Sequence, residues 1–183
     1  MNDTALKDVK ANDLAQHIKT DKGIIASVNG YAVAGGLERA LACNIRIASE
    51  HAQFGCFEIR RALPHPLDPL IRLVGFGPAL HMLLSGELID AHEALRIGLV
   101  TKAVSAQKLI PTLEDLTTRM GEYTTEVLVA TKKAAFVERD MTTEKSHLYA
   151  RALSVPLRDS DTRREGVTAF AESRKANYGE SAS

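Results

Sequence analysis

The spacing of apolar and polar positions divides the chain into a strand-containing first half and a helical second half. The continuous apolar run at residues 24–28 is typical of a buried strand, and residues 44–49 and 53–59 predict two further short strands. Between the first two strands, residues 38–43 predict a short helix that two glycines open. This order of elements predicts an α/β fold for the first half.

From residue 90 onward, apolar residues recur every three or four positions, as on one face of a helix. The predicted helices span residues 91–97, 106–122, 125–139, 144–157 and 163–174, and residues 99–104 predict a strand. Residues 1–20 also carry apolar side chains at helical intervals, and such a helix would cover the edge of the first strand. We therefore expect a partial core at residues 1–90 and a helical region at residues 91–183.

Composition excludes several classes of protein without changing this picture. The 23 Lys and Arg residues balance 23 Asp and Glu residues, so nothing indicates a nucleic-acid partner. No stretch approaches the roughly 20 apolar residues that span a bilayer, and no apolar signal core begins the chain, so we expect no membrane partner and a cytoplasmic location. Cys43 and Cys56 are expected to be buried thiols, and the histidines lack ligand spacing, so no metal site is expected.

The most informative local motif leads an apolar strand into two glycines and a carboxylate. Gly35 and Gly36 fall at the start of the predicted helix, where unpaired backbone N–H groups and the helix dipole favour negative charge. Glu38, three residues after Gly35, can lie on the same helix face as that amide. On these residues alone, an ordinary turn with a capping carboxylate would be the favoured interpretation.

The order and spacing of longer segments resemble the enoyl-CoA hydratase/isomerase family, also called the crotonases, from Gly23 almost to the C-terminus. The matching segments lie at residues 26–32, 34–38, 40–50, 52–55, 72–75, 83–91, 93–100, 165–170 and 174–175. The resemblance implies a crotonase-like fold, which is a β-β-α superhelix followed by a helical C-terminal region. It also implies that the first strands of that fold are lacking here.

The resemblance assigns chemical roles to particular residues. Glu38 and Glu58 match the two glutamates of the hydratases, one of which takes a proton from water while the other supplies one to the α-carbon. Gly35 matches a backbone donor of the oxyanion hole, which stabilises the enolate-like oxygen of a thioester. No cofactor is implied, because the coenzyme A thioester is the substrate. Substrate contacts are implied for Ala34, Phe57, Leu63, Phe170 and Lys175.

Alternatives remain for three of these residues. Glu58 could be an exposed glutamate at a strand end, paired with Arg60 or Arg61. Phe170 could be a core aromatic, and Lys175 could be a solvated charge.

Two features depart from the hydratase pattern. After Glu58 the hydratases usually have a glycine-rich turn, whereas this chain has Ala-Leu-Pro-His-Pro-Leu-Asp-Pro at residues 62–69, so the wall around Glu58 has another shape. His65 in this stretch could serve as a polar group in that pocket, but a solvent-facing position is expected. The family's strand-rich opening segment, which supplies the other oxyanion amide, is lacking, so we expect a shortened member with weakened activity.

These observations predict hydration of a 2-enoyl-CoA, or the reverse dehydration. Double-bond isomerisation, or dehydration of a carnitine-type acyl-CoA, is the alternative on the same scaffold. A truncated, non-catalytic protein that functions through assembly is the alternative of another class. The resemblance implies a homotrimer or hexamer whose C-terminal helices pack between subunits.

Overall fold

The computed structural model of the chain describes residues 20–65 and 67–179. The helix expected within residues 1–20 therefore lies almost entirely outside the described residues. The described part forms two compact units, one of residues 24–113 and one of residues 20–23 and 114–179.

The described strands of the first unit form two sheets, and the first four strands alternate between them. One sheet has the order β1-β3-β6, is parallel throughout, and consists of β1 (Ile25–Val28), β3 (Ile45–Ser49) and β6 (Lys102–Val104). The other has the order β2-β4-β5 and consists of β2 (Tyr31–Val33), β4 (Gln53–Gly55) and β5 (Ile89–Asp90). In that sheet β2 and β4 are parallel, whereas β4 and β5 are antiparallel. Thus β1 pairs with β3 in one sheet, and β2 pairs with β4 in the other.

Short helices connect and cover these strands. They are α1 (Gly35–Ala42), a 3-10 turn (Phe57–Arg61), α2 (Asp68–Val74), α3 (Phe76–Ser85), α4 (Ala91–Arg96) and the first part of α5 (Ala106–Met120). A proline lies in the first turn of α2. Backbone N–H groups in a first turn have no acceptor within the helix, so the N–H that proline lacks is not missed there. Gly75 (φ 83) separates α2 from α3, and Gly86 (φ 62) ends α3, because glycine adopts positive φ without steric cost.

One continuous apolar cluster forms the core of the first unit. Its fully buried members come from both sheets and from helices α1 to α4, and they include Leu37, Phe54, Leu70, Met82, Ala94 and Leu99. Burying a side chain the size of leucine stabilises the fold by about 1.5–3 kcal/mol. Because the cluster continues through Val100, the first unit extends beyond residue 90, where the sequence suggested a division.

Polar side chains also join the strands at the end of α1. The buried guanidinium of Arg46 donates from Nε to the carbonyl of Leu99 (2.7 Å) and from Nη1 to that of Cys43 (2.6 Å). Asn44 accepts the N–H of Ile24 on its side-chain oxygen (2.8 Å). These bonds connect β1, α1, β3 and the segment before β6, so they fix the end of the helix on which Glu38 lies.

The second unit is helical in its described part. It contains the rest of α5, α6 (Thr125–Asp140), α7 (Thr143–Ser154), a 3-10 turn (Val155–Leu157) and α8 (Asp161–Ala171). Its buried residues, among those that the structure describes, are Thr124, Ser146 and Ala169. Large apolar side chains are exposed, including Phe136, Leu148, Val155, Val167 and Phe170. This unit therefore has little apolar core of its own.

A charged network ties the chain after α8 back to that helix. The Glu165 carboxylate accepts two bonds from Arg174 (2.6 and 3.0 Å) and one from the N–H of Asn177 (2.7 Å). These bonds, with that of Arg174 first, lower the pKa of Glu165 to about 2. None of the described helices is both long and apolar enough to cross a lipid bilayer.

The strand predicted at residues 53–59 is wrong in its second half. β4 ends at Gly55, and residues 57–61 form the 3-10 turn. The reason is the length of its partners: β2 ends at Val33, and the N–H of Ala34 makes the last cross-strand bond to the carbonyl of Gly55 (3.1 Å). Glu58 therefore lies in a turn instead of on a strand.

Smaller differences affect the predicted ends of other elements. The strand expected at residues 99–104 is limited to Lys102–Val104. The last turn of the helix expected at residues 144–157 is 3-10, where Pro156 has no N–H to donate. α8 begins two residues early because the Ser160 hydroxyl caps it by accepting the N–H of Arg163 (3.2 Å).

Candidate active site

The first turn of α1 presents backbone amides that have no acceptor within the helix. Ala34 precedes the helix with φ 49 and ψ −125 and gives it no side-chain cap. The first bond into the helix runs from the N–H of Glu38 to the carbonyl of Ala34 (3.1 Å), which leaves the N–H groups of Gly35 and Gly36 without intrahelical partners. Both glycines are exposed, and nothing lies within 4 Å of a Cβ built on either. A ligand oxygen can therefore approach this turn closely.

Glu38, Glu58 and His65 meet beside this turn. One donor atom of each lies within 4.8 Å of the other two, and all three side chains are half-buried. Nε2 of His65 is 3.0 Å from Oε1 of Glu38. Two carboxylates at this separation can hold a water molecule between them and exchange protons with it. The same three donors could hold a divalent cation, so the expectation that the site needs no metal stays a prediction.

Close packing surrounds Gly55, which ends β4 three residues before Glu58. A Cβ on Gly55 would lie 3.0 Å from the Phe57 ring, 3.1 Å from the Leu88 side chain and 3.2 Å from the carbonyl of Glu87. Only glycine fits there without movement of its neighbours. Phe57, whose ring packs against the main chain at Gly55, is the first residue of the 3-10 turn, and Glu58 follows it directly.

Contacts within the 3-10 turn hold the residues around Glu58. The Arg60 guanidinium lies 3.9 Å above the centre of the Phe57 ring, a cation–π contact. The carbonyl of Glu58 accepts the N–H of Leu63 (3.1 Å), and Ala62 ends the turn with φ 55. Among the described residues, Glu58 forms no ion pair with Arg60 or Arg61, so that alternative for Glu58 is not realised.

The two cysteines are free, as the sequence predicted. Burial raises the pKa of Cys56 to about 11, and the negative charge of Glu58 adds to the effect. Burial also raises the pKa of Cys43, although the nearby charge of Arg46 opposes that shift. Cys43 is only half-buried, so the prediction of a buried thiol is confirmed for Cys56 alone. A neutral, buried Cys56 is not a nucleophile near pH 7.

The residues expected to contact substrate lie in both units. Ala34 and Phe57 are half-buried, and they lie close in sequence to Glu38 and Glu58 respectively. Leu63 is 54% exposed. Phe170 belongs to the second unit and is 88% exposed, which excludes the alternative of a core aromatic. The Lys175 ammonium lies 2.6 Å from the Glu122 carboxylate. The roles of these five residues in binding stay predictions.

For His65, the sequence analysis favoured a solvent-facing position over a polar role in the pocket. The expectation that it faces solvent is wrong, because its side chain is 33% exposed and contacts Glu38. A signal was present in the sequence: His65 stands between two prolines a few residues after the second glutamate. Prolines restrict both themselves and the residue before them, so this loop has few conformations available.

Comparison with known sequences identifies several similar proteins. A sequence model of the family described as enoyl-CoA hydratase/isomerase matches residues 2–181. The chain is 41% identical over 174 residues to (E)-benzylidenesuccinyl-CoA hydratase of Thauera aromatica, which covers 93% of this chain and 67% of that protein. It is 37% identical over 163 residues to crotonyl-CoA hydratase of Syntrophomonas wolfei, which covers 86% of this chain and 62% of that protein.

Solved structures give the same result at the level of the fold. An enoyl-CoA hydratase from Bacillus anthracis matches with a TM-score of 0.90 at 26% identity, over 97% of this chain and 71% of that one. DspI of Pseudomonas aeruginosa matches with a TM-score of 0.85 at 30% identity, over 98% and 71% of the two chains. These likenesses confirm the predicted fold of β-β-α turns followed by a helical region.

Proposed function

The chain belongs to the enoyl-CoA hydratase/isomerase family, and we propose that it adds water across the double bond of a 2-enoyl-CoA, or removes water in the reverse direction. The observation that carries this proposal is the pair of carboxylates, Glu38 and Glu58, with oxygens within 4.8 Å of each other. The relatives named above act, by their names, as hydratases of coenzyme A thioesters.

In the proposed reaction, one water molecule lies between the two glutamates. A water oxygen about 2.8 Å from each carboxylate oxygen satisfies ordinary hydrogen-bond geometry at such a separation. One glutamate takes a proton from the water while the water oxygen bonds to the β-carbon of the enoyl group. The other glutamate, which starts protonated, gives its proton to the α-carbon, so the product has gained one H and one OH, and one proton then passes from the first glutamate to the second to reset the pair.

Addition at the β-carbon moves negative charge onto the thioester oxygen. We assign its stabilisation to the N–H of Gly35, aided by the positive end of the α1 dipole. Removing one oxyanion-hole donor typically costs about 2.7–4 kcal/mol of transition-state stabilisation. The exposed, open surface at Gly35 allows the thioester to reach that amide. Because backbone amides perform this step, the proposal needs no metal.

The acyl group of the substrate is left open by the proposal. The relatives' names include a small acyl group, crotonyl, and a larger aromatic one, benzylidenesuccinyl. Ala34, Phe57 and Leu63 are proposed to contact the acyl part, whereas Phe170 and Lys175 are proposed to contact coenzyme A. The substrate panel should therefore contain crotonyl-CoA and (E)-benzylidenesuccinyl-CoA.

The test is turnover of this panel by the purified chain, followed by loss of the enoyl thioester absorbance. Glu38→Gln and Glu58→Gln each remove one acid/base group while keeping its shape, so each should lower kcat by roughly 100-fold or more. Glu50→Gln is the matched control, since Glu50 lies on the exposed turn between β3 and β4 beside His51. Turnover should also survive dialysis against EDTA.

The products separate the proposal from its alternatives. Hydration yields a product heavier than the substrate by one water, whereas isomerisation leaves the mass unchanged. Full activity of both glutamine variants would contradict the proposed roles. A folded protein that turns over no member of the panel would contradict the function and favour the non-catalytic role in assembly.

A further inference from the structure

His65 occupies a place that the two glutamates alone do not explain. Its Nε2 lies 3.0 Å from Oε1 of Glu38, and the two side chains are only 33% and 22% exposed. The donor oxygen of Glu58 is within 4.8 Å of both groups. The imidazole is therefore a third polar group beside the proposed water.

The orientation of the Glu38 carboxylate matters for the proposed reaction. A glutamate has three side-chain torsions, and fixing them costs conformational entropy. Only orientations that turn an oxygen toward the water and Glu58 are productive, and small errors of orientation lower reaction rates strongly. A carboxylate has two oxygens, so a donor held at Oε1 leaves Oε2 to accept the water.

The loop that carries His65 is anchored to the turn that carries Glu58. The N–H of Leu63 donates to the carbonyl of Glu58, and that of Ala62 donates to the carbonyl of Ile59, both at 3.1 Å. Pro64 further restricts the backbone just before His65. The contact of His65 with Glu38 thus connects α1 to the loop that follows the turn of Glu58.

We propose that His65 is a positioning residue, whose Nε2–H donates to Oε1 of Glu38 and holds that carboxylate facing Glu58. This inference rests on the proposed function. A neutral imidazole carries one N–H, so the assignment requires the tautomer protonated at Nε2. His65 keeps that proton throughout, so the proton balance of the hydration is unchanged.

Two substitutions test the role in the chain of 183 residues. His65→Leu has similar volume but no donor, and it should lower kcat for the best substrate of the panel roughly 10- to 100-fold, with KM little changed. His65→Gln places an amide N–H near the position of Nε2 and should recover most of the lost kcat. His51→Leu is the matched control, because His51 is exposed and contacts only Glu50 (3.6 Å) among the ion pairs of the described chain.

The kinetic outcomes separate this inference from the proposed function. An active wild type with an unchanged kcat in His65→Leu overturns the role of His65 alone, as does an equal loss in the Leu and Gln variants. A loss that appears entirely in KM also overturns it. A wild type without turnover on any substrate overturns the proposed function and the role of His65 together.

A second measurement tests the contact without turnover. Imidazole nitrogen chemical shifts of the histidine-labelled protein should show His65 protonated at Nε2. Glu38→Gln should move the His65 resonances, whereas Glu50→Gln should move only those of His51. Protonation at Nδ1, or resonances that ignore Glu38→Gln, would overturn the assignment.

Discussion

Titration of a single residue, Cys56, makes the stability of the fold depend on alkaline pH. Burial raises its pKa from 9.0 to about 11, and the charge of Glu58 adds to the shift. Above pH 9 the unfolded chain loses the thiol proton while the folded chain keeps it, so stability falls as the pH rises from about 9 to 11. The loss attributable to this group is about 1–2 kcal/mol.

Cys56→Ala should remove this component. We expect the free energy of unfolding to fall less between pH 8 and pH 10.5 in the variant than in the wild type, as measured by urea denaturation. The comparison across pH within each protein cancels the cost of the smaller side chain. An identical fall in both proteins would show that Cys56 does not titrate in this way.

For single residues, there is a physical reason why some positions in the site could be predicted from the sequence and others could not. Gly35 and Glu38 lie within one helical turn, so local spacing was enough to place the amide beside the carboxylate. Glu58 was assigned only through the family resemblance, and His65 was expected in solvent, because both reach Glu38 through a turn and a loop whose paths depend on tertiary packing. A composition rule for loops, which places histidines in solvent, could not include that packing.

The turn from β4 into the 3-10 segment is the element on which the site depends most. Gly55→Ala would place a methyl group 3.0–3.2 Å from the Phe57 ring, the Leu88 side chain and the carbonyl of Glu87. We expect it to destabilise the fold by about 1–3 kcal/mol and to lower turnover, because Glu58 would move. Thermal unfolding and kcat measure the two effects.

Gly30→Ala is the matched control for this substitution. Nothing lies within 4 Å of a Cβ at Gly30, and its backbone does not have positive φ. Its unfolding temperature and kcat should stay close to those of the wild type. If both alanine variants behave alike, the close packing at Gly55 does not determine the position of Glu58.

The elements themselves could be predicted where periodicity was long and missed where tertiary pairing set the ends. The helices of residues 106–171 were found because each repeats an apolar position over several turns. The end of β4 was misplaced because strand length depends on β2 and β5, which are distant in sequence. Helices α2 and α3 follow prolines and glycines, which concealed their starts.

For the whole molecule, the exposed apolar residues of the second unit carry the clearest consequence. Three of its described residues are buried, whereas Leu148 is 66% exposed and other large apolar side chains are also open to solvent. Monomeric proteins rarely leave extensive apolar surface uncovered. We therefore propose that these helices pack between subunits, in the homotrimer or hexamer that the family resemblance implies.

Light scattering during size-exclusion chromatography measures the assembly directly. We expect a mass three or six times that of one chain for the wild type. Leu148→Glu should shift the distribution toward smaller species, because a buried charge without a partner is costly. Glu144→Gln, on the same helix, is the control and should leave the mass unchanged. A monodisperse wild-type monomer would contradict the proposed assembly.

The closeness of Gly35, Glu38, Glu58 and His65 along the chain has a consequence for biosynthesis. All four residues leave the ribosome before α2, and the strand pairs that frame them, β1 with β3 and β2 with β4, join segments about 20 residues apart. Pairs close in sequence can form while later residues are still being translated, since less chain entropy is lost on closing a short loop. The sheet of β1 and β3 is completed only when β6 has been translated, about 50 residues later. The residues of the proposed site are thus encoded in a segment whose contacts can form early during synthesis, whereas the helices proposed to pack between subunits are made later.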